Sequence, residues 1–259
     1  MEGSWLILAV GGVFSGVLAG ILGIGGGFII VSLMIALGYP FTQAIATSSL
    51  VIIMSSSAGS FYNWQQGYLS LKRVAYLAIP AIIFAPLGVY LTGETPEYVL
   101  LSIFASFMLV NIGLISLKKK IASQQQPVPD KTFNPLLSRI FTGGIAGFLA
   151  GLLGIGGGAI MVPLQMLLLN EDIKVAVRTS LGVIVAATIS SCILHFAKGN
   201  ILFVPGFVLG ISGMLGSQLG SRMLPNLSNS LVSKIFISFL AMMALFNFWK
   251  SWSSYQSLI

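Results

Sequence analysis

The sequence contains very little charge. Only 7% of its 259 residues are charged and 56% are hydrophobic, whereas about 25% of the residues in a soluble domain are charged. The stretch 3–71 carries no charge at all. Further uncharged runs cover 74–93, 98–117, 140–170, 179–197 and 200–221. Because about 20 apolar residues span a bilayer, the pattern excludes a soluble domain and predicts an all-α polytopic membrane protein.

Cysteine and acidic residues are also scarce. The single cysteine, Cys192, excludes an internal disulfide and a cysteine metal cluster. The six acids all lie in loops or at the ends of apolar runs: Glu2, Glu94, Glu97, Asp130, Glu171 and Asp172. A carboxylate proton relay inside the membrane is therefore not expected. We predict no catalytic residue, no metal and no cofactor. The basic residues also lie at run ends, which indicates topology signals instead of a nucleic-acid partner.

One polar stretch divides the chain. Residues 118–135 read KKKIASQQQPVPDKTFNP, and they combine charge, glutamine and proline with few apolar side chains. Such a composition predicts a linker in water, and its lysines indicate the cytoplasmic side. The linker separates a first membrane repeat at 1–117 from a second at 136–259.

The two halves repeat each other around a glycine-rich stretch. A shift of 131 positions makes 13 of the 18 residues from Gly16 to Leu33 identical to their partners. At the same shift IATSSL (45–50) falls on AVRTSL (176–181), which places Arg178 opposite Thr47. Internal repeats of this kind are common in membrane transporters, and they predict two pseudo-symmetric units.

The first apolar segment of each half, about 5–37 and 136–169, is too long for one crossing. A continuous helix over 5–37 would measure roughly 50 Å, against a hydrocarbon core of about 30 Å. We predict a helix broken at the glycines, with both arms on one side of the membrane, followed by three transmembrane helices. The whole chain then has seven or eight helical segments.

The basic residues favour inverted repeats. With re-entrant first segments, eleven of the thirteen basic residues lie on the linker side and only Lys198 and Lys250 lie opposite. If each glycine segment crosses once, the halves are parallel and the division is nine against four. The positive-inside rule therefore supports the inverted arrangement.

The glycines fall into two groups. The first group recurs every fourth residue, as expected for a helix-packing face in a membrane: Gly12, Gly16, Gly20, Gly143, Gly147 and Gly151. The second group forms two GIGGG clusters, which exceed what packing requires. A helix broken there presents free N–H groups and the positive end of a dipole to an anion. We predict that both turns meet near the membrane midplane and bind substrate through Gly23, Gly25, Gly26, Gly27, Gly154, Gly156, Gly157 and Gly158.

Several polar side chains follow the glycine turns. Ser48, Ser49, Thr179 and Ser180 are candidate donors to an oxyanion, although serine and threonine also bond their own helix backbone. Gln165 is either a neutral donor or a packing residue, and Arg178 either attracts substrate or lies at the cytoplasmic surface. Ser55–Ser57 are interpreted as backbone-bonded and the lone His195 as interfacial.

The duplicated motif resembles a known family. The stretch GFLAGLLGIGGGAIMVP (147–163), repeated in the first half and followed by ATSSL and RTSL, is similar to the TauE/SafE sulfite exporter family over essentially the whole chain. The resemblance implies an anion carrier of the cell membrane for sulfite, sulfonates or related sulfur-containing anions. One departure is Ser32, which stands where the second half has Pro163.

The sequence thus predicts a multi-pass cell-membrane transporter that binds a small anion between two glycine-broken helices. Its partners are the anion and the lipid bilayer, and association into a homo-oligomer is left open. An inside-negative potential of 100 mV favours outward movement of each negative charge by about 2.3 kcal/mol, so export or facilitated movement is favoured over carboxylate-coupled uptake. An anion channel remains an alternative. A membrane scaffold fits less well because it does not explain two matched glycine breaks, and an intramembrane serine–histidine enzyme fits less well because the sequence has no G-x-S-x-G turn.

Overall fold

The protein is a bundle of α-helices. The computed structural model describes residues 2–92, 95–123 and 134–256, and within these ranges it contains ten α-helices, one 3₁₀ turn and no β-strand. The α-helices are α1 (Glu2–Leu22), α2 (Gly27–Ala36), α3 (Phe41–Gln65), α4 (Leu71–Thr92), α5 (Glu97–Ser123), α6 (Pro135–Leu153), α7 (Gly158–Leu168), α8 (Ile173–Ala197), α9 (Phe203–Met223) and α10 (Asn229–Gln256).

Seven of these helices are long and apolar enough to cross a membrane: α1, α3, α4, α6, α8, α9 and α10. Their outward side chains are apolar as well, and Ile83, Phe141 and Leu245 are more than half exposed. Apolar side chains that face outward on a helix bundle suit lipid contact and would be unfavourable in water. The prediction of an all-α, multi-pass membrane protein is therefore confirmed.

Each predicted glycine-broken segment consists of two unequal helices. The 21 residues of α1 are followed by only 10 in α2, so the two arms are not the similar half-helices that a central break would give. The short helix folds back along the long one, because Ser15 Oγ donates to the Gly26 carbonyl at 2.7 Å and Leu33 lies against Gly11. The sequence predicted seven or eight helical segments, whereas ten α-helices are observed within the described ranges. The prediction is lower because it counted each glycine-broken segment as one.

The glycines spaced by four allow close helix packing, as predicted. Helix α1 packs on α9, and its counterpart α6 packs on α4. A methyl group at Gly20 would lie 2.5 Å from the carbonyl oxygen of Ser217, and one at Gly147 would lie 2.5 Å from Cα of Ala81. Any side chain there would push two helices apart, which explains the absence of a Cβ.

One end of the bundle gathers three helix connections. Arg73 Nε lies 3.7 Å from Glu171 Oε1, which joins the start of α4 to the α7–α8 connection. Lys174 Nζ donates to the Pro225 carbonyl at 2.9 Å and brings the α9–α10 connection to the same end. Helix α6 also starts here, since Gly143, Gly147 and Gly151 pack on Leu77, Ala81 and Ala85 in turn. We call this end the linker face.

The predicted linker at 118–135 overlaps the helices on both sides. Helix α5 continues to Ser123 and α6 begins at Pro135, where Asn134 Oδ1 accepts from the Leu136 N–H at 3.1 Å. The remainder, 124–133, lies outside the described residues. Residues 118–123 and 135 of the predicted linker are therefore helical, since lysine and isoleucine are compatible with a helix that extends beyond the apolar run.

Candidate functional site

The two glycine turns contact each other in the centre of the bundle. A methyl group at Gly27 would lie 2.8 Å from the Gly154 carbonyl oxygen, and one at Gly158 would lie 2.7 Å from Cα of Ile24. All residues of both turns are buried. We call this contact between residues 23–27 and 154–158 the glycine crossing. The prediction that the two turns meet is confirmed by this packing.

Backbone conformation explains the choice of glycine in the turns. Gly26 has φ 76° and Gly157 has φ 70°, and each is the residue that precedes the short helix of its half. An L-residue in this left-handed conformation costs roughly 1–2 kcal/mol. The turns can therefore end one helix and begin another within four residues.

The glycine crossing lies beside the midpoints of α3 and α8. Ile52 of α3 and Ile184 of α8 both lie against Gly25 and Gly156, and each isoleucine is near the middle of a 25-residue helix. Methyl groups at Gly25 and Gly156 would have no neighbour nearer than 3.1 Å, unlike those at Gly23 or Gly27. The Cα atoms of Gly25 and Gly156 consequently face the least crowded part of the crossing. The side chains of Ile52 and Ile184 cover this part.

Two helix amino termini begin at the crossing. The Gly26 carbonyl already accepts from Ile29 N at 3.2 Å, and the Gly157 carbonyl accepts from Ile160 N at 3.2 Å. These bonds close the first turn of each short helix, and the amino-terminal end of a helix carries a partial positive charge. The positive ends of α2 and α7 thus point into one buried region, which favours a negative ligand electrostatically.

The serines of α3 that follow the first turn are used in packing. Ser48 Oγ donates to the Gly154 carbonyl at 2.6 Å, so it stabilises the turn of the opposite half. Ser49 Oγ is 3.2 Å from the Ile45 carbonyl of its own helix. Of the two readings left open by the sequence, backbone bonding is the one observed for both.

The corresponding residues of α8 are tied to α7. Gln165 Nε2 donates to Ser180 Oγ at 2.9 Å and to the Ala176 carbonyl at 3.3 Å. Thr179 and Ser180 are both buried. Gln165 therefore fixes the short helix to α8, and its Oε1 atom has no hydrogen-bond partner among the described residues.

The side chain of Arg178 is directed toward the linker face, although its neighbour Val177 packs on Gly23 of the glycine crossing. Its guanidinium carbon is 4.1 Å from the centroid of the Tyr68 ring, in the connection between α3 and α4 at the linker face. The structure also changes which residue of the first half corresponds to Arg178. Helix α3 starts at Phe41 and α8 starts at Ile173, so these helices are related by a shift of 132 positions. Arg178 therefore corresponds to Ala46, and Thr47 corresponds to Thr179.

The interpretation of the polar groups further along α3 and α8 is only partly correct, since Ser55 Oγ bonds the Ile52 carbonyl of its own helix at 3.4 Å but Ser56 does not. Ser55 Oγ donates to the Gly25 carbonyl at 3.3 Å, and the buried Ser56 Oγ has no partner among the described residues. His195, interpreted as interfacial, is only 2% exposed and neither ring nitrogen has a hydrogen-bond partner there. The spacing of serine and glycine in GSQLGSRM (216–223) could have indicated that α9 faces these groups. Among the described residues no cluster of three or more His, Cys, Asp or Glu side chains could hold a metal.

One family model and several named relatives are similar to this chain. The family model described as "Sulfite exporter TauE/SafE" matches residues 8–247. A Bacillus subtilis protein named "Probable membrane transporter protein YunE" is 30% identical over 84% of this chain and 88% of its own. A Methanocaldococcus jannaschii protein, "Probable membrane transporter protein MJ0441", is 25% identical over 93% of this chain and 94% of its own.

Proposed function

The chain belongs to the TauE/SafE sulfite exporter family of membrane transporters, and from that premise we propose that it carries small sulfur-containing anions across the cell membrane. The substrate class is sulfite, sulfonates and related oxyanions. The proposed binding site is the glycine crossing, near the membrane midplane. Export or facilitated movement down the membrane potential is the favoured direction, and the protein is not an enzyme.

The observation that carries the proposal is the convergence of two helix amino termini on one buried point. Gly25 and Gly156 both have positive φ and both face Ile52 and Ile184. The N–H groups of two helix starts supply donors from two directions, which matches an oxyanion with several acceptor oxygens. No fixed cation is needed, so the anion is released without breaking a buried ion pair.

The membrane topology that we propose is an inverted repeat with the linker face in the cytoplasm. The α8–α9 connection lies beside the start of α3, since the Leu202 N–H donates to Thr47 Oγ1 at 3.0 Å. The three connections of the linker face lie at the other end. With both short helices folded back, eleven basic residues fall on the linker side and only Lys198 and Lys250 on the other, which suits the positive-inside rule.

Closure of the crossing favours a carrier over a channel. Ile52 and Ile184 are both fully buried, and they close the least crowded part of the crossing on α3 and α8. An open pore would require water along this axis, whereas two apolar side chains at the midpoint exclude it. Substrate entry then requires these helices or the turns to move, as expected for alternating access.

Flux measurements in liposomes test the proposed function. The purified full chain is reconstituted and assayed for sulfite, thiosulfate, an alkyl sulfonate and a carboxylate, with and without an imposed potential. We expect sulfur oxyanions to move, faster when the potential drives negative charge, and to show countertransport. Absence of flux for all of these anions would contradict the proposal, and saturating flux without countertransport would support a channel.

Two variants address the site itself. Gly25→Ala and Gly156→Ala place a methyl group in the crossing, where the nearest neighbours are isoleucine side chains that can adjust. Gly38→Ala and Gly199→Ala are matched controls, since both glycines have positive φ and no atom would lie within 4 Å of the added methyl group. We expect the first pair to abolish flux and the controls to retain it. Equal losses in both pairs would assign the effect to backbone strain.

A further inference from the structure

Four hydroxyl groups on the packed helices α3 and α9 have no hydrogen bond among the described residues: Ser56, Ser60, Ser217 and Ser221. We call these residues the hydroxyl cluster. Ser56, Ser217 and Ser221 are each 0% exposed. A buried donor without a partner is destabilising, so the occurrence of several such hydroxyls on two packed helices requires an explanation.

Gly59 brings the cluster together. A methyl group there would lie 2.6 Å from Ser217 Oγ and 2.9 Å from Ser221 Oγ, so both hydroxyls point at the same bare stretch of α3. They are one helical turn apart on α9 and share its face. Ser212, on the same helix, behaves differently, because its Oγ donates to the Val208 carbonyl at 2.7 Å.

The cluster leads from the glycine crossing toward the linker face. Ser56 Oγ would lie 3.4 Å from a methyl group at Gly25, at the crossing. Ser60 follows one turn later on α3, and then Asn63, whose Oδ1 atom has no partner among the described residues. Positions three or four residues apart on a helix lie on one face, about 4.5–6 Å apart along the axis. The polar groups therefore form a continuous line.

The line ends at two arginines. Arg222 lies 5.6 Å from the centroid of the Tyr62 ring, and Arg178 lies 4.1 Å from that of Tyr68. The one acidic side chain described in an ion pair at this face, Glu171, is beside Arg73. Cations at the mouth concentrate anions, and hydroxyl donors beyond them bind an oxyanion without holding it as tightly as a charge would.

We propose that the hydroxyl cluster is a second oxyanion subsite on the route between the linker face and the glycine crossing. This inference rests on the proposed function, since it needs an anion that moves. A sulfite or sulfonate group accepts hydrogen bonds from Ser217, Ser221 and Ser56 in turn and thereby pairs donors that the packed helices leave unpaired. The arginines form the mouth of the route, and the crossing is its inner end.

Flux of a double variant tests the subsite. Ser217→Ala with Ser221→Ala removes two donors, and Ser212→Ala is the control on the same helix. Because a hydrogen bond to a charged group contributes about 1.5–3 kcal/mol, we expect sulfite flux in liposomes to fall about tenfold or more in the double variant. The control is expected to retain wild-type flux.

Stability separates a route from a merely structural cluster. The double variant removes unpaired hydroxyls, so we expect its melting temperature in detergent to equal or exceed that of the wild type. A stable double variant with unchanged sulfite flux would overturn the subsite while leaving the proposed function intact. Absence of flux in the wild-type protein would instead contradict the proposed function itself.

Thiol modification provides a second readout. In a Cys192→Ser background, Ser217→Cys is expected to react with a sulfonate-bearing methanethiosulfonate reagent added at the linker face. Ser212→Cys is the control, since its side chain packs against Gly12 of α1. A short alkyl sulfonate is expected to slow the reaction at position 217. Equal rates at both positions, or no protection, would contradict the route.

Discussion

The contact between α3 and α9 differs chemically from its counterpart between α8 and α4. With the shift of 132, Ser217 and Ser221 correspond to Ala85 and Val89, both buried. The first contact therefore contains unpaired hydroxyls where the second is apolar. The pair of contacts shows that a duplicated architecture does not require duplicated chemistry.

The remaining polar residues of the second contact are mostly paired. Thr188, the counterpart of Ser56, donates to the Ile184 carbonyl, and Ser191, the counterpart of Gly59, donates to the Thr188 carbonyl at 3.2 Å. Only His195, the counterpart of Asn63, has polar atoms without a described partner in that line. The half of the bundle that leads to the linker face is thus the more polar half.

The largest expected loss of stability concerns the close helix packing at glycine that both halves share. Gly16→Leu and Gly147→Leu each insert a side chain between helices whose backbones touch at that point. Overpacking costs about 1–3 kcal/mol and occasionally more, so we expect both variants to lose the folded peak in size-exclusion chromatography. Gly113→Leu on α5 is the control, because nothing lies within 4 Å of a methyl group there. A folded Gly147→Leu protein would show that the second half tolerates separation of its helices.

The next largest effect is expected when the hydroxyl groups of the α3–α9 contact are introduced into the α8–α4 contact. Ala85→Ser with Val89→Ser gives the second contact the hydroxyls of the first. We expect a lower melting temperature, corresponding to about 1–3 kcal/mol for buried hydroxyls without designed partners, and unchanged sulfite flux. Increased flux would show that polarity of the second contact also limits transport.

Smaller effects are expected where hydroxyls bond their own helix. Thr188→Val and Ser191→Ala each remove one such bond in the second contact. Hydrogen bonds in membrane helices average about 0.6 kcal/mol, so melting temperatures are expected to change little and sulfite flux to stay at the wild-type level. A tenfold loss of flux in either variant would place a substrate route in the second half too.

The smallest effect is expected for substitution of His195, which should not change the dependence of sulfite flux on protons. His195 has no hydrogen-bond partner among the described residues, and the acids described there, Glu2, Glu97, Glu171 and Asp172, lie at helix ends or in a connection. His195→Asn, which copies Asn63, should therefore leave sulfite flux driven by the membrane potential and insensitive to a pH gradient. Flux of the wild-type protein that strictly requires a proton gradient would contradict the absence of a proton carrier.

Much of the fold was readable from the sequence because the signals are repeated. The uncharged runs located the helices, and the glycines spaced by four located the packing faces. The inserted residue between α7 and α8 was misplaced, since the alignment assigned Arg178 to Thr47 although the helix starts pair Thr179 with it. A single insertion in a short connection leaves no periodicity to detect.

The candidate site was less accessible to sequence reasoning. The two glycine turns were predicted to meet, and they do, but Ser48, Ser49 and Gln165 proved to be engaged in packing. Ser217 and Ser221 were not considered, because their importance depends on Gly59, more than 150 positions away along the chain. Which hydroxyls lack partners is a property of helix packing, and no local pattern encodes it.

The most direct measurement would locate a bound oxyanion. Selenite is a chemical analogue of sulfite, and its selenium atom can be found by anomalous diffraction from crystals of the full chain. We predict a peak between Gly25 and Gly156, with selenite oxygens about 3 Å from backbone nitrogens of both turns. A selenium peak confined to the outer surface, with the glycine crossing closed and unchanged, would contradict the account.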